Sequence, residues 1–136
     1  MSTNGTISIK TSKGGKTIYT HWDSYPYCNG KTLKKHYDTE KKVKALIELG
    51  DISSLEKSIE KPEGHTFDNR VNGYTVFYER DRGKNHKDVK ATSFKDLPIR
   101  KEEWNYLFQN VEWFVSEGKG KFVLLTDEII ENNTTK

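Results

Sequence analysis

Two stretches that alternate apolar and polar residues, TISIK at 6–10 and KTIYTHW at 16–22, flank the spacer TSKGG. A period of two sends successive side chains to opposite faces of a strand, and glycines at the spacer can adopt the positive φ that a tight connection demands. The chain is therefore expected to open as a β-hairpin, sorting Ile7, Ile9 and Ile18, with Tyr19 or Thr20, between two faces. Pro26 and Gly30 then stop extended pairing, and a short helix is expected from about Lys31 to Tyr37, with Leu33 and Tyr37 on one side.

Thr39 is a suitable N-cap for a second helix, whose apolar stripe is Val43, Leu46 and Ile47 and whose stop is Gly50. Residues 56–73 have little periodicity and several breakers, so they read as a long loop of the kind that carries function. YTVFYER alternates again: Tyr74, Val76, Tyr78 and Arg80 on one face of a strand, Thr75, Phe77 and Glu79 on the other. DRGKNHKD reads as a polar turn. After Pro98 the spacing of Trp104, Leu107 and Phe108 predicts a third helix over 101–109. VEWFVS and KFVLLT form two last strands around EGKGK. The pattern predicts a single α+β domain over residues 1–131, with a mostly antiparallel sheet of about five strands and two to three helices on one side, followed by a flexible tail at 132–136.

A chain of 136 residues is of single-domain length and can bury roughly two thirds of the surface it exposes when unfolded. Only 32% of it is apolar and as much is charged, but three tryptophans, seven tyrosines and six phenylalanines set it apart from disordered chains and predict a core rich in rings. The net charge of +3 is a small difference between 23 basic and 20 acidic side chains. Such a weak field argues against nucleic acid as the partner, and the lysine runs 31, 34, 35 and 41, 42, 44 read first as solvated helix faces.

One cysteine, Cys28, allows no intrachain disulfide, and no apolar run approaches the ~18 residues of a membrane span. The opening MSTNGTISIK lacks the charged start and apolar middle of a signal peptide. A cytoplasmic setting is expected, in which the sequons at Asn4, Asn132 and Asn133 carry no sugar.

Several chemistries fail on spacing. Gly-Lys-Thr occurs at 15–17 and 30–32, but a phosphate-binding P-loop needs a glycine where this chain has Lys10 and Tyr25. Gly30, Lys31 and Thr32 open a helix whose free amides remain able to receive an anion. His21, His36, His65 and His86 show no metal-ligand spacing, so neither a metal nor a cofactor is expected. Paired His-x-Ser/Thr phosphoesterase motifs fail because Asp23 and Phe67 stand two places after His21 and His65. His21 and Asp23 share a strand face as an acid-base pair or a simple hydrogen bond, and Cys28 reads as a small semi-buried residue. No catalytic residue is assigned.

Recognition suits the remaining residues better. Trp22, Tyr25, Tyr27, Phe77 and Tyr78 offer faces for stacking, and Lys31, Lys34, Arg80 and Arg82 offer cations for phosphate. Against this stands the plain alternative that most rings pack the core and the arginines pair with Asp81 or Asp23.

YTHWDSYPYCNGKTLKKHYD resembles a family of small phage and prophage-associated proteins that carry a His-Trp-Asp-Gly-Tyr motif followed by a leucine-containing helix ending in His-Tyr. The likeness continues in the same order through KKVKALIELGDISSL, TVFYERDRG, WNYLF and WFVSEGKGKFVLLTDEI, and so spans nearly the whole chain. It implies signature residues at His21, Trp22, Asp23, Tyr25, Tyr78, Arg80, Asp81, Arg82 and Gly83. The chain departs from that pattern at Ser24, where the family has glycine, and at Lys84, where an acidic residue is common.

Together these readings lead to an expectation: a phage-type accessory protein, working in the cytoplasm of an infected bacterium, that sequesters a nucleotide-like or otherwise phosphorylated host-defence signal without turning it over. The ligand would lie between His21, Trp22, Asp23, Tyr25 and Lys31 on one side and Tyr78, Arg80, Asp81 and Arg82 on the other. One alternative is a protein–protein inhibitor of a host defence or metabolic enzyme, presenting the same cluster as a hot spot. A third is a small nucleotide hydrolase or lyase with His21 or His65 as general base. A homo-oligomer is compatible with each.

Overall fold

The computed structural model describes residues 2–82, 90–98 and 102–134. Gly83, Lys84 and His86, with most of the turn expected at 81–88, lie outside the described residues. The elements run β1 (Gly5–Thr11), β2 (Gly14–Thr20), a π-helical turn (Pro26–Gly30), α1 (Lys31–His36), α2 (Glu40–Glu48), β3 (Ile52–Ser54), β4 (Val76–Phe77), α3 (Tyr78–Arg82), β5 (Thr92–Phe94), β6 (Trp104–Gln109), β7 (Glu112–Glu117), β8 (Val123–Leu124) and α4 (Asp127–Asn132). The class is α+β, with more strands than the five expected from sequence.

The opening hairpin forms as its alternation dictates. Ile7 pairs with Ile18 and Thr6 with Tyr19, so the isoleucines and Thr20 share one face while Tyr19 turns to the other. Gly14 supplies the positive φ, at 100°. In α2 the Thr39 hydroxyl accepts the Lys42 amide at 3.2 Å, Val43, Leu46 and Ile47 are buried, and Gly50 ends the segment at a φ of 89°.

The sheet order is β4-β3-β2-β1-β6-β7-β8, with β5 beside the first half of β2 along the edge whose end β3 takes. Most neighbours are antiparallel, but β1 with β6 and β2 with β3 are parallel, which makes the sheet mixed. One face carries Ile7, Ile9, Ile18, Tyr106, Phe108, Trp113 and Val115. These pack with Leu33, Tyr37, Val43, Leu46, Ile47 and Ile130 of the helices into one core. Two ring groups tie the layers: Trp113 Nε1 donates to the Tyr37 carbonyl at 2.8 Å, and the Tyr106 hydroxyl donates to the Ser24 carbonyl at 2.6 Å. The opposite face carries Leu107 beside polar side chains that satisfy one another, Thr6 donating to Asn105 at 2.7 Å and Ser8 bonding Thr17 at 2.6 Å.

Three expectations are corrected. Described from Glu102 onward, the segment read as a third helix is strand β6, because WNYLFQ also alternates and both of its faces are covered: Trp104, Tyr106 and Phe108 face the helices, while Asn105 and Leu107 are buried behind. The strand read through Arg80 ends at Phe77 and becomes the single turn α3, so Tyr78 and Arg80 do not share a strand face. The expected tail is anchored at its start: Asn132 closes α4, capped at its head by Thr126, and the Asn133 carbonyl accepts the Tyr27 amide at 3.0 Å.

Candidate functional site

Past Thr20 the chain keeps pairing with β3, the His21 amide donating to Ile52 at 3.0 Å and the Trp22 amide to Ser53 at 3.1 Å. Asp23 then takes a φ of 59° and reverses the chain. Ser24 is buried, its amide on the Thr3 carbonyl, against Gly5, where a Cβ would stand 2.6 Å from the Ser24 side chain. That close approach is why this position of β1 is glycine. Buried Asn29 staples the turn: its amide reaches the Asp23 carbonyl at 3.1 Å, and its side chain reaches the Trp22 carbonyl at 2.9 Å and Ser24 Oγ at 3.3 Å.

The outcome is a firmly held turn that presents Trp22, 39% exposed, beside the exposed Asp23. His21 lies edge-on to the indole at 4.6 Å and bonds the Tyr19 hydroxyl through Nδ1 at 2.9 Å. Among the described residues no hydrogen bond joins His21 to Asp23; the reversal at Asp23 takes the two out of a common strand face. Tyr25 is half-buried against the core and hydrogen-bonds Cys28, and burial pushes both groups up from their ordinary pKa. Lys31 stands 4.7 Å over the ring of Tyr27 as a cation–π pair.

The second segment is divided between inside and outside. Arg80 turns inward over the Phe77 ring at 4.7 Å, grips Asp81 through Nε at 2.9 Å, and donates to the carbonyls of Ile59, Glu60 and Thr75. The Asp81 side chain is fully buried and also accepts the Phe77 amide at 2.7 Å. Burial alone would raise this carboxyl, but the bonds from Arg80 and Phe77 and the charge of Arg80 outweigh it and hold it below its usual range. Arg80 and Asp81 therefore clamp the long loop to the sheet; they are not open to a ligand. Of the expected ligand residues here, Tyr78 and Arg82 stand apart from this clamp, grouped on Phe67: Tyr78 lies 5.5 Å from that ring and Arg82 5.0 Å.

The long loop is pinned at both ends through Thr75 and holds His65 and Arg70, of which the sequence singled out only the first. Thr75 donates to the Glu56 carbonyl at 3.0 Å and its amide to Ser58 at 2.8 Å. Inside it, fully buried His65 accepts the Val71 amide at Nδ1, 2.9 Å, which leaves the proton on Nε2, 3.2 Å from the Thr75 carbonyl. This fixes the ring as a structural brace. Beyond it Arg70 bonds Ser53 and Ser54 of β3 at 3.3 and 3.4 Å and stands 5.4 Å over Phe67.

Strand β3 separates the two expected halves by two sheet spacings, about 10 Å. What meets Trp22 is the loop, across an open cleft of about 680 Å³ lined by Trp22, Asp23, Glu56, Arg70 and Tyr74 among others. Burial and the neighbouring Asp23 raise the Glu56 carboxyl, Lys57 opposing them. The cleft combines aromatic faces, two carboxylates able to accept hydroxyl or amino protons, and a forked cation for phosphate. Arg70 and Glu56 escaped sequence reading because a lone arginine and a lone glutamate in a polar loop carry no pattern. Among the described residues no cluster of three or more histidine, cysteine or acidic side chains could hold a metal ion, and no helix is long and apolar enough to cross a membrane. No protein-family model, curated protein or solved structure matches the chain.

Proposed function

We propose that the protein is a phage-type accessory protein that binds and sequesters a nucleotide-like small molecule, of the kind a host uses as a defence signal, without turning it over. The observation that carries this reading is the Trp22 indole, held half-exposed by the Asn29 staple on a cleft shared with Arg70, Asp23 and Glu56. A base stacks on Trp22, the carboxylates accept its ribose hydroxyls or amino group, and Arg70 takes phosphate, the role first expected of Arg80. His65 has both ring nitrogens engaged by backbone, which favours binding over general-base chemistry. The phage setting rests on the resemblance of the HWDSY and FYERDRG blocks.

Thermal shift against cyclic and linear nucleotides, with chromatography of the recovered ligand, tests it. A ligand at a hundred times its Kd adds about 2.7 kcal/mol, or roughly 10 °C for a domain of this size. The shift should vanish in Trp22→Ala and Arg70→Ala, and the ligand should be recovered intact. No shift with any nucleotide overturns the proposal, and recovery of altered ligand replaces it with an enzyme.

A second reading, an inhibitor that docks on a host enzyme, is favoured by one specific feature: Trp22 and Tyr27 are each 39% exposed on the same segment, beside a cleft that is open. Capture of a host enzyme, lost in both Trp22→Ala and Tyr27→Ala and indifferent to nucleotide, selects it.

A further inference from the structure

Glu56 is the most firmly held acid of the Trp22 cleft. Its amide donates to the Thr75 hydroxyl at 2.9 Å, and its carbonyl accepts that hydroxyl at 3.0 Å and the hydroxyl of the core residue Tyr37 at 2.7 Å. The main chain is thus tied to the core at this point, while the half-buried side chain lines the cleft. Among the described residues no lysine, arginine or histidine nitrogen lies within 4.0 Å of the carboxylate of Glu56 or of Asp23. Asp23 is close enough for its charge to raise the Glu56 carboxyl, so the two acids are neighbours. Arg70 does not neutralise them, because its guanidinium is directed to the Phe67 carbonyl and to the hydroxyls of Ser53 and Ser54.

An ionised carboxylate only accepts hydrogen bonds, and it accepts best from two donors side by side. Guanine alone among the common bases shows two such donors on one edge, the N1–H and the 2-amino group. Adenine and cytosine place a ring-nitrogen lone pair beside their amino group, and uracil flanks its one N–H with carbonyl oxygens, so each would set an acceptor against the carboxylate. Asn72, the lining side chain able to serve adenine, is exposed on a turn and is held by no bond among the described residues, whereas Glu56 is fixed. We propose that the cleft selects guanine: with the base stacked on Trp22, Glu56 takes the N1–H and 2-amino protons as a bidentate pair and Asp23 takes the ribose hydroxyls. This rests on the reading of the cleft as a nucleotide site and names the base that such a site would take.

Calorimetric titration with 5′-GMP, 5′-IMP and 5′-AMP at pH 8, well above the ordinary carboxyl range, tests the proposal. GMP should bind about tenfold or more tighter than AMP, the discrimination expected of one good bidentate pair. IMP, which keeps N1–H and lacks the 2-amino group, should fall between them. Glu56→Gln keeps the size of the side chain and every main-chain bond, but offers one donor beside one acceptor, the pattern that adenine matches. It should narrow or reverse the preference for GMP over AMP. Equal affinity of the parent for GMP and AMP overturns guanine selectivity and leaves the nucleotide reading standing. A preference for GMP that is unchanged in Glu56→Gln overturns the role given to Glu56. Absence of binding by all three nucleotides overturns the nucleotide reading and this inference with it.

Discussion

The Asp81 carboxylate accepts the Phe77 amide at 2.7 Å from four residues further along the chain. This bond folds the end of β4 into α3, and Arg80 completes it by holding the other carboxylate oxygen at 2.9 Å while reaching across to loop carbonyls. Asp81→Ala would leave the buried Phe77 amide unpaired and the partly buried Arg80 guanidinium without its counter-charge. We expect a loss of about 3–5 kcal/mol, read from urea denaturation. Because the folded carboxyl is held low, its contribution is present above the unfolded pKa near ~3.9 and is lost as pH falls through the folded value. Asp81→Asn should therefore flatten the acid limb of the stability curve.

Asp51 behaves in the opposite sense. Burial pushes its carboxyl up to about 6, although it accepts the Tyr19 amide at 2.8 Å. The folded protein then holds a proton that the unfolded chain has released, so this group's stabilisation is full below ~3.9 and is lost as pH rises through about 6. Asp51→Asn keeps an acceptor for Tyr19 and removes the charge. Its melting temperature should exceed that of the parent at pH 8, with the difference shrinking toward zero near pH 4.

Asn29 is the test of how the Trp22 turn is held. Asn29→Ala removes the side-chain bonds to the Trp22 carbonyl and Ser24 Oγ and should cost about 1–3 kcal/mol. If the staple preorganises the indole, nucleotide affinity measured by calorimetry falls well beyond the fraction unfolded. Unchanged affinity would show that the turn does not position Trp22 for binding.

Asn110 and Val111 connect β6 to β7 with φ of 54° and 61°, a conformation that a β-branched side chain resists. Val111 is 68% exposed and gives up little packing. Val111→Gly, which creates an Asn-Gly turn, should stabilise the protein by about 0.5–1 kcal/mol, seen as a higher urea midpoint at unchanged m-value.

Local chemistry made part of this protein legible. The Thr39 cap, the Val43–Leu46–Ile47 stripe and Gly50 lie within a few turns of one another, and the β1–β2 hairpin needs only alternation and Gly14, so neighbours in sequence settle both. The prominence of HWDSY was equally local, and its exposed Trp22 does line the cleft. WNYLFQ was not legible in the same way, because its apolar residues satisfy the helical and the strand period at once. Burial on both faces, with β1 pairing from 99 residues away, made it a strand.

Tertiary packing alone also divided the charged residues. Two arginines on either side of Asp81 look equivalent in ERDRG, yet Arg80 closes on buried Asp81 and the carbonyls of Ile59, Glu60 and Thr75 while Arg82 stays outside on Phe67 and Tyr78. Arg70, in a loop without any pattern, reaches the cleft because β3 offers it two serine hydroxyls. Sequence settles what short-range hydrogen bonds and periodicity decide; which cation is drawn inward and which stays at the surface depends on partners brought together only when the sheet closes over the loop.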